Sequence, residues 1–306
     1  MEKHAYLIIG HNNFYNLKRL LCLLDNEAND IFIHIDKKVK DFSTAELRQN
    51  ITKASIYIYS EIKVNWGGYS QVQCEMFLLK QALAQGKHLY YHLLSCADLP
   101  IKAQNEIQTF FKENQGYEFV QFKDKQFLEQ NKELTRRATL YHFIQEFRKC
   151  SNLRLVKGTL TYIAKLLMGI QLLLKVDRLK GKNIKLKYGS QWFSITEPFA
   201  KYILKNNKNI QHMFRWTMCP DELFIQTFLY NSKFRKNIYQ YRMENKEENG
   251  NMREINWGRS NDPAHPYVWH IEDMEYLLAS EMLFARKFDE KIDKSIIDNI
   301  YEKMGE

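Results

Sequence analysis

Residues 5–36, AYLIIGHNNFYNLKRLLCLLDNEANDIFIHID, contain the pattern that best indicates the fold class of this chain. It opens with an apolar run over Ala5–Ile9, which predicts a short buried strand. Leucines at helical spacing follow and predict a helix over Asn13–Leu24. A second apolar run, Ile31–Ile35, predicts another strand, which ends at Asp36. A strand, a helix and a strand in this order predict a β-α-β unit with parallel strands.

The same alternation continues beyond residue 36. The patterns predict strands over Ser55–Tyr59, His88–Leu94, Tyr117–Phe122 and Gln191–Thr196, and helices over Tyr69–Leu83, Glu106–Lys112, Pro198–Lys205, Asp221–Tyr230, Asp273–Ala279 and Asp289–Glu306. We therefore expect an α/β fold with a mostly parallel central sheet flanked by helices. Ligands of such sheets lie at the carboxyl ends of the strands. Asp36 and the segment Ser95–Asp98 both fall at such ends.

We expect one domain over residues 1–306, with a donor-side half at 1–122, a basic helical insertion at 123–187 and a catalytic half at 188–306. The insertion contains the apolar helix Leu160–Val176. Two interpretations of this helix stay open. It either packs on the core as an amphipathic helix, or it lies in an anionic membrane interface near a lipid-linked acceptor.

The 306 residues include 45 Lys and Arg and 36 Asp and Glu, a formal charge of +9. A basic excess suits nucleic acid, an anionic membrane or phosphorylated substrates. We interpret the excess as spread along the chain, and since no nucleic-acid motif accompanies it, no nucleic-acid partner is expected. No apolar run approaches the ~20 residues of a membrane span.

The five cysteines show no CxxC spacing, which indicates a reducing compartment. The start of the chain shows no signal peptide. We expect a cytoplasmic protein, with peripheral contact at the inner face of the membrane as the open alternative.

Several familiar motifs are missing from the sequence. It contains no Asp-x-Asp pair of the kind that holds a divalent cation against a sugar-nucleotide diphosphate. It contains no GxGxxG, no GxxxxGK[ST] and no HExxH. A bound metal, a dinucleotide and a P-loop are therefore not indicated.

Four short segments combine residue types that suit a ligand site: VNWGGYSQV (64–72), LSCADLPIK (94–102), GSQWFS (189–194) and CPDE (219–222). Glycines let a backbone approach a ligand, and an indole offers a flat face to a base or a sugar. Each segment also has an ordinary structural explanation. Tyr69 or Ser70 suits a helix start, and acids after Pro220 suit a first helical turn.

Taken together, these segments resemble one family. In chain order AYLIIGHNN, IHIDKK, VNWGGYS, LLSCADLPIK, GSQWFSIT, CPDELFIQTFL and LFARKFD are similar to the core-2/I-branching β-1,6-N-acetylglucosaminyltransferases and the peptide O-xylosyltransferases, glycosyltransferase family 14. The chain resembles a bacterial member. Residues 123–187 carry little of the resemblance, and we expect acceptor identity to depend on them.

The resemblance implies a GT-A-like, Rossmann-type nucleotide-binding fold and an inverting transfer from a UDP-sugar to a glycan hydroxyl, without a metal or other cofactor. N-acetylglucosamine is the first expected donor sugar, with xylose or another hexose as alternatives. Two proteins of other classes also stay open. One is a non-catalytic sugar-nucleotide or glycan-binding protein, and the other is a peripheral membrane protein built around Leu160–Val176.

For catalysis, the resemblance implies that Glu222 is the general base, and Asp221 beside it either raises its pKa or caps a helix. Lys287 matches the family lysine at the diphosphate. A second cation of the family, an arginine, should fall near Ala264–His265, where Arg259 or His265 is the expected substitute. Arg286 ranks lower because sequence neighbours usually point apart.

For substrate binding, the resemblance implies that Asp36 lies near the uridine and Trp66 near the donor sugar. His11 either lines the donor site or serves an ordinary turn. On the acceptor side we expect Glu106, Asp98, Asp221 and Trp192, the last as a stacking platform or as a buried core residue.

Overall fold

The computed structural model describes residues 2–123, 127, 130–147, 154–239, 250–260, 262 and 265–305. The predicted position of a diphosphate cation at Ala264 lies outside these residues. The described strands are β1 His4–Gly10, β2 Asn29–Ile35, β3 Ser55–Tyr59, β4 Tyr90–Ser95, β5 Asp98–Pro100, β6 Phe119–Val120, β7 Phe193–Thr196, β8 Arg253–Ile255 and β9 Phe284–Arg286.

The described α-helices are α1 Phe14–Leu23, α2 Thr44–Arg48, α3 Tyr69–Gln85, α4 Gln104–Glu113, α5 Lys132–Thr139, α6 Arg154–Leu173, α7 Glu197–Lys205, α8 Asn207–Phe214, α9 Phe224–Tyr230, α10 Met274–Ala279 and α11 Lys294–Gly305. Short 3₁₀ turns span Pro220–Glu222, Lys233–Asn237 and Ile271–Asp273.

The central sheet has the strand order β3-β2-β1-β4-β7-β6. Strands β3, β2, β1 and β4 are parallel, whereas β7 runs antiparallel to β4 and β6 antiparallel to β7. The prediction of a mostly parallel α/β sheet flanked by helices is confirmed. All four parallel strands end at one edge, where the loops after them meet.

A second, three-stranded sheet was not predicted. Its order is β5-β9-β8, with β5 antiparallel to β9 and β8 parallel to it. Each of its strands has three residues, too few to show a two-residue hydrophobic period. This sheet brings the segment after β9 to the loop that follows β4.

Both faces of the central sheet are buried, as parallel strands require. Tyr6 and Ile8 of β1 pack in a core shared with α1, α4 and α11. Ala5 and Leu7 face the opposite way, into a core shared with α3, α7 and α9. The alternation along β1 thus places helices on both faces and leaves the strand ends open for a site.

The helix predicted over Leu160–Val176 corresponds to α6, which begins earlier, at Arg154, and ends earlier, at Leu173. One of its sides faces α5, and the other is exposed, with Leu173 retaining 83% of its accessible surface. Among the described residues, no helix has both the length and the apolar character needed to cross a bilayer.

Candidate active site

The loops after β1 and β2 bring His11 and Asp36 together. The Asp36 backbone N–H donates to the Gly10 carbonyl over 2.8 Å, so the two strand ends stay in register. Gly10 cannot carry a side chain, because a Cβ there would lie 2.4 Å from the Cys96 Sγ. The end of β1 is therefore closely packed against the loop that follows β4.

The Asp36 carboxylate is buried and held on several sides. Its Oδ1 accepts the backbone N–H groups of Lys38 at 2.9 Å and Val64 at 3.4 Å, and its Oδ2 lies 3.3 Å from the Lys38 Nζ. The same Nζ donates to the Val64 carbonyl at 2.6 Å. These contacts fix the carboxylate at the strand edge and tie it to the segment that carries Trp66.

Three residues at and after the end of β9, Arg286, Lys287 and Phe288, lie at the same edge of the central sheet. The Phe288 N–H donates to the Ala97 carbonyl at 2.9 Å, and the Asn13 side-chain amide donates to the Phe288 carbonyl at 3.1 Å. Lys287 and Arg286, just before Phe288, are thereby brought to the ends of β1 and β4.

The pKa of His11 shows which charges surround the imidazole. Packing of protein around His11, which is still partly exposed, is the main cause that lowers this pKa. The positive charges of Lys38, Arg286 and Lys287 lower it further, while Asp36 raises it. The structure thus gathers a cationic cluster of Lys38, Arg286 and Lys287 beside His11 and Asp36.

Arg286 has two polar partners and one aromatic neighbour. Its Nη1 donates to the Asp98 Oδ1 at 2.9 Å and to the Ser95 Oγ at 2.5 Å, and its guanidinium lies 4.3 Å from the ring centroid of Trp192. Asp98 therefore forms an ion pair, and Trp192 is buried with 7% of its surface exposed. For Trp192 the structure favours the core interpretation over the stacking platform.

Glu222 lies in the 3₁₀ turn Pro220–Glu222, one turn before the helix in which it was predicted. Cys219 precedes the turn in a left-handed conformation with φ 49°, and its N–H donates to the Gly67 carbonyl at 2.8 Å. This bond places the turn against the Trp66-Gly67-Gly68 segment. Trp66 itself leaves 46% of its surface exposed.

The Glu222 carboxylate has two polar partners that the sequence did not reveal. Arg137 Nη1, from α5, donates to Glu222 Oε2 at 2.9 Å, and the Tyr188 side chain also bonds to the carboxylate. Burial raises the pKa of Glu222, whereas Arg137 and Tyr188 lower it. The side chain is 28% exposed, so an acceptor can reach it.

Two further acids lie behind Glu222. Burial, followed by the charge of Glu222, raises the pKa of Asp221 to about 8. The Asp221 Oδ2 accepts from the Gln71 side-chain amide at 3.0 Å. Burial and Asp221 also raise the pKa of Glu75 well above its usual range. Burial therefore favours the protonated form of both inner acids, whereas Arg137 favours the ionised form of Glu222.

Glu106 is not brought to this site. It is exposed, and its carboxylate accepts the Ala103 N–H at 3.0 Å, which caps α4. In the same helical turn, Gln104 accepts from the side chain of Asn29 at 2.8 Å. Asn29 begins β2, so this turn lies at the amino edge of the sheet. We therefore do not retain Glu106 as an acceptor-binding residue.

The two expected substitutes for the second diphosphate cation have other contacts. Arg259 Nη1 donates to Asp273 Oδ1 at 2.6 Å, and its guanidinium stacks 4.3 Å from the Tyr267 ring centroid. His265 is 58% exposed and lies 4.0 Å from an Asp262 oxygen. Neither residue acts on His11, whereas Arg286 does. Of these three residues, Arg286 is thus the one whose charge acts on His11, although it is itself paired with Asp98.

Within the described part of the chain, one group of side chains has the types and proximity of metal ligands: His270, Glu272 and Asp293. Asp293 already accepts N–H groups of Ile271 at 2.9 Å and Ser295 at 2.9 Å. The Ser295 bond orders the start of α11, and the Ile271 bond joins this start to the 3₁₀ turn Ile271–Asp273, so the Asp293 carboxylate has structural partners.

A cleft of about 300 Å³ extends between α5 and α6. Its lining includes Arg136, Arg137, Tyr141, Lys165 and Met168. Because Arg137 bonds to Glu222, this cleft adjoins the carboxylate on the side of the helical insertion. No sequence motif predicts the cleft or the contact of Arg137 with Glu222, since both depend on the fold of a region without a recognisable motif. Tyr188 directly precedes the GSQWFS segment, and this position is the one sequence feature that could have indicated a role at the site.

An open, mostly parallel sheet with its polar residues gathered at the strand ends defines a wound α/β protein, whose ligands occupy that edge. A family model described as Core-2/I-Branching enzyme matches residues 4–282. The chain belongs to this family, which confirms the resemblance seen in the sequence. Six of the seven segments lie within the matched residues, and LFARKFD, at 283–289, follows directly after them.

Two curated relatives illustrate the similarity. The chain is 24% identical over 322 residues to beta-1,3-galactosyl-O-glycosyl-glycoprotein beta-1,6-N-acetylglucosaminyltransferase 4 of Mus musculus, with 99% of this chain and 65% of that protein covered. It is 22% identical over 319 residues to xylosyltransferase 2 of Rattus norvegicus, with 96% and 33% covered. The chain thus spans about two thirds of the first relative and one third of the second.

Among solved structures, mouse xyloside xylosyltransferase 1 in its apo form matches with a TM-score of 0.35 and 9% sequence identity. The match covers 74% of this chain and 81% of that one.

Proposed function

We propose that this chain is an inverting glycosyltransferase that moves a sugar from a UDP-sugar to a glycan hydroxyl and forms a β-linkage without a metal ion. One observation carries the proposal. The Glu222 carboxylate lies beside the Trp66 segment and is held by Arg137 and Tyr188. A cationic cluster next to Asp36 offers a place for a diphosphate.

In this mechanism Glu222 takes the proton of the acceptor hydroxyl. The oxygen then attacks the anomeric carbon from the face opposite UDP, a new carbon–oxygen bond forms, and the bond to the UDP oxygen breaks. A single displacement inverts the anomeric centre. The burial that raises the pKa of Glu222 makes it a better proton acceptor than an exposed carboxylate, and Arg137 opposes this rise and so favours the ionised form.

The departing UDP carries negative charge that the protein must stabilise. Lys287 and Arg286 are fixed cations beside His11, and fixed charges stabilise a leaving group without reorganising in the reaction. Asp36 suits hydrogen bonds from the uridine, and the exposed indole of Trp66 offers a flat face to the donor.

The names of the relatives guide the choice of donor. One is named as an N-acetylglucosaminyltransferase and the other as a xylosyltransferase. We propose N-acetylglucosamine first, with xylose or another hexose as the alternative. A protein that only binds glycans needs no base, so the partners built around Glu222 argue against that class. We further propose a cytoplasmic location and a glycan acceptor on a lipid carrier.

The test is UDP release from UDP-N-acetylglucosamine, UDP-xylose and UDP-glucose, each with a panel of acceptor glycans. Each reaction is run with EDTA and again with Mn²⁺. We expect turnover of one donor at equal rates in both conditions and a β-configured product. Turnover that appears only with the divalent ion would overturn the metal-free mechanism, and an α-configured product would overturn inversion.

A further inference from the structure

Helix α6 has two apolar sides, and one of them faces away from the protein. The inner side lines the cleft, and Gln171 anchors it, because its side chain accepts the Tyr141 N–H at 2.7 Å and donates to the Tyr141 carbonyl at 3.0 Å. The outer side presents four exposed apolar residues: Ile163, Leu166, Ile170 and Leu173. Their spacing of three, four and three residues puts them on one stripe.

The stripe is long and strongly exposed. Leu166 retains 53% of its surface and Leu173 retains 83%. Tyr162 and Leu174 extend it, at 70% and 68%. Contiguous apolar surface of this kind usually marks a contact with another molecule.

The charge of the chain is concentrated around this helix. Residues 147–187 contain eleven Lys and Arg residues and one acid, Asp177. This segment therefore has a formal charge of +10, whereas the whole chain has +9, so the remainder is close to neutral. The prediction that the basic excess is spread along the chain is wrong. After α6, the side chains of Lys175, Lys180, Lys182 and Lys185 are exposed.

We propose that the outer side of α6 docks on the surface of an anionic phospholipid membrane. An apolar stripe with flanking lysines is the pattern of helices that lie in the membrane interface, where each basic side chain adds electrostatic attraction. The proposal deepens the proposed function, because it names the surface on which the lipid-linked acceptor would be met.

A second copy of the chain is a poorer occupant of this face. A two-fold contact through α6 would bring the lysines of both copies together, and α6 itself contains no acid to pair with them. An anionic leaflet neutralises the same lysines. Charge complementarity therefore selects the membrane.

The docked helix also lies in a suitable place for catalysis. Its inner side lines the same cleft as Arg136, Arg137 and Lys165. Arg137 in turn bonds to Glu222, which lies next to this cleft. A glycan whose lipid anchor stays in the leaflet would enter this cleft from the membrane side. The carrier would then hold the acceptor hydroxyl near the base.

The test is flotation of the whole chain with vesicles of phosphatidylcholine, alone or mixed with phosphatidylglycerol. We expect binding to the mixed vesicles, weak binding to phosphatidylcholine alone, and release at high salt. Ile170→Glu should weaken binding to the mixed vesicles by about tenfold, because it removes apolar contact and adds a repelled charge. Ile292→Glu is the matched control, since Ile292 is 54% exposed elsewhere, and it should bind within about twofold of the parent chain.

Equal binding of the parent chain to both vesicles, or of Ile170→Glu and the parent chain, would overturn the proposal. So would a dimer that Ile170→Glu dissociates in the absence of vesicle binding, because the face would then be a contact between copies. Circular dichroism spectra and melting temperatures like those of the parent chain verify the folding of both variants. Turnover on a soluble acceptor tests the proposed function separately, so a failure of docking and a failure of catalysis can be told apart.

Discussion

The guanidinium of Arg137 lies 2.9 Å from the carboxylate of Glu222, and this contact joins the helical insertion to the turn that carries the proposed base. The positive charge lowers the pKa of a carboxylate that burial raises. Helix α5 therefore contributes to the ionisation of Glu222 as well as to the shape of the cleft.

Replacing Arg137 should move the pH dependence of the reaction. In Arg137→Gln, burial acts on Glu222 without the opposing charge, so the pKa of the base rises. Because the base must be ionised, the acidic limb of kcat/KM should shift upward by about one pH unit. The measurement is kcat/KM from pH 5 to 9, with Arg136→Gln as the control that lines the same cleft. A uniform loss at every pH would contradict this role.

Glu222→Gln should remove the proton acceptor with little change in shape. We expect transfer to fall by about a thousandfold or more, while UDP binding changes little, since the donor-side cations are untouched. The measurements are the transfer rate and the UDP-induced rise in melting temperature. A variant that retains most of its activity would exclude Glu222 as the base.

Lys287→Ala should weaken the binding of UDP but not of uridine. The lysine belongs to the cationic cluster around His11, so we expect a loss of about tenfold or more in UDP affinity. Calorimetric titration with both ligands isolates the diphosphate contribution. Lys291→Ala is the control, because Lys291 is exposed nearby in sequence. An equal loss for uridine would show that the lysine does not meet the diphosphate.

The parallel part of the fold could be predicted because each strand there is long enough to show its pattern. β3 was predicted with its observed bounds, and β1 and β2 were placed to within two residues at each end. β5, β8 and β9 have three residues each, and tertiary pairing rather than sequence pattern defines them. Their pairing delivers Arg286 to Asp98, so that ion pair was not visible in the sequence.

The candidate site likewise contains some residues that the sequence predicted and others that only the folded structure reveals. Asp36 and His11 follow predicted strands, and strand order alone places them at one edge. Arg137 reaches Glu222 from a region with no motif, so only the folded structure reveals it. Glu106 was assigned by resemblance, but its local position at the start of a helix determines what it does.

Glu106→Ala tests that last correction. The variant loses the acceptor of the Ala103 N–H, so the free energy of unfolding should fall by about 0.5–1 kcal/mol. The KM for acceptor and for UDP-sugar should stay unchanged. Urea unfolding and steady-state kinetics measure the two effects, and Glu106→Gln should restore part of the stability. A rise in acceptor KM without a stability change would return Glu106 to the acceptor site.

Asp221→Asn should flatten the dependence of stability on pH. The pKa of Asp221 is about 8 in the folded chain, against roughly 3.9 when unfolded. The folded state therefore binds a proton more tightly, and the stability that this proton contributes is complete below about pH 4 and is lost as pH rises through 8. Asparagine keeps an oxygen to accept from Gln71 but cannot ionise.

Unfolding free energies at pH 5 and pH 8.5 give the measurement for this variant. Between these values the parent chain should lose on the order of 3 kcal/mol more than Asp221→Asn, because burial opposes the charged form of Asp221. Asp262→Asn is the control, since Asp262 is exposed and should show no such difference. Parallel stability curves for the parent chain and Asp221→Asn would mean that Asp221 is ionised when buried, and that Glu222 acts beside a second negative charge.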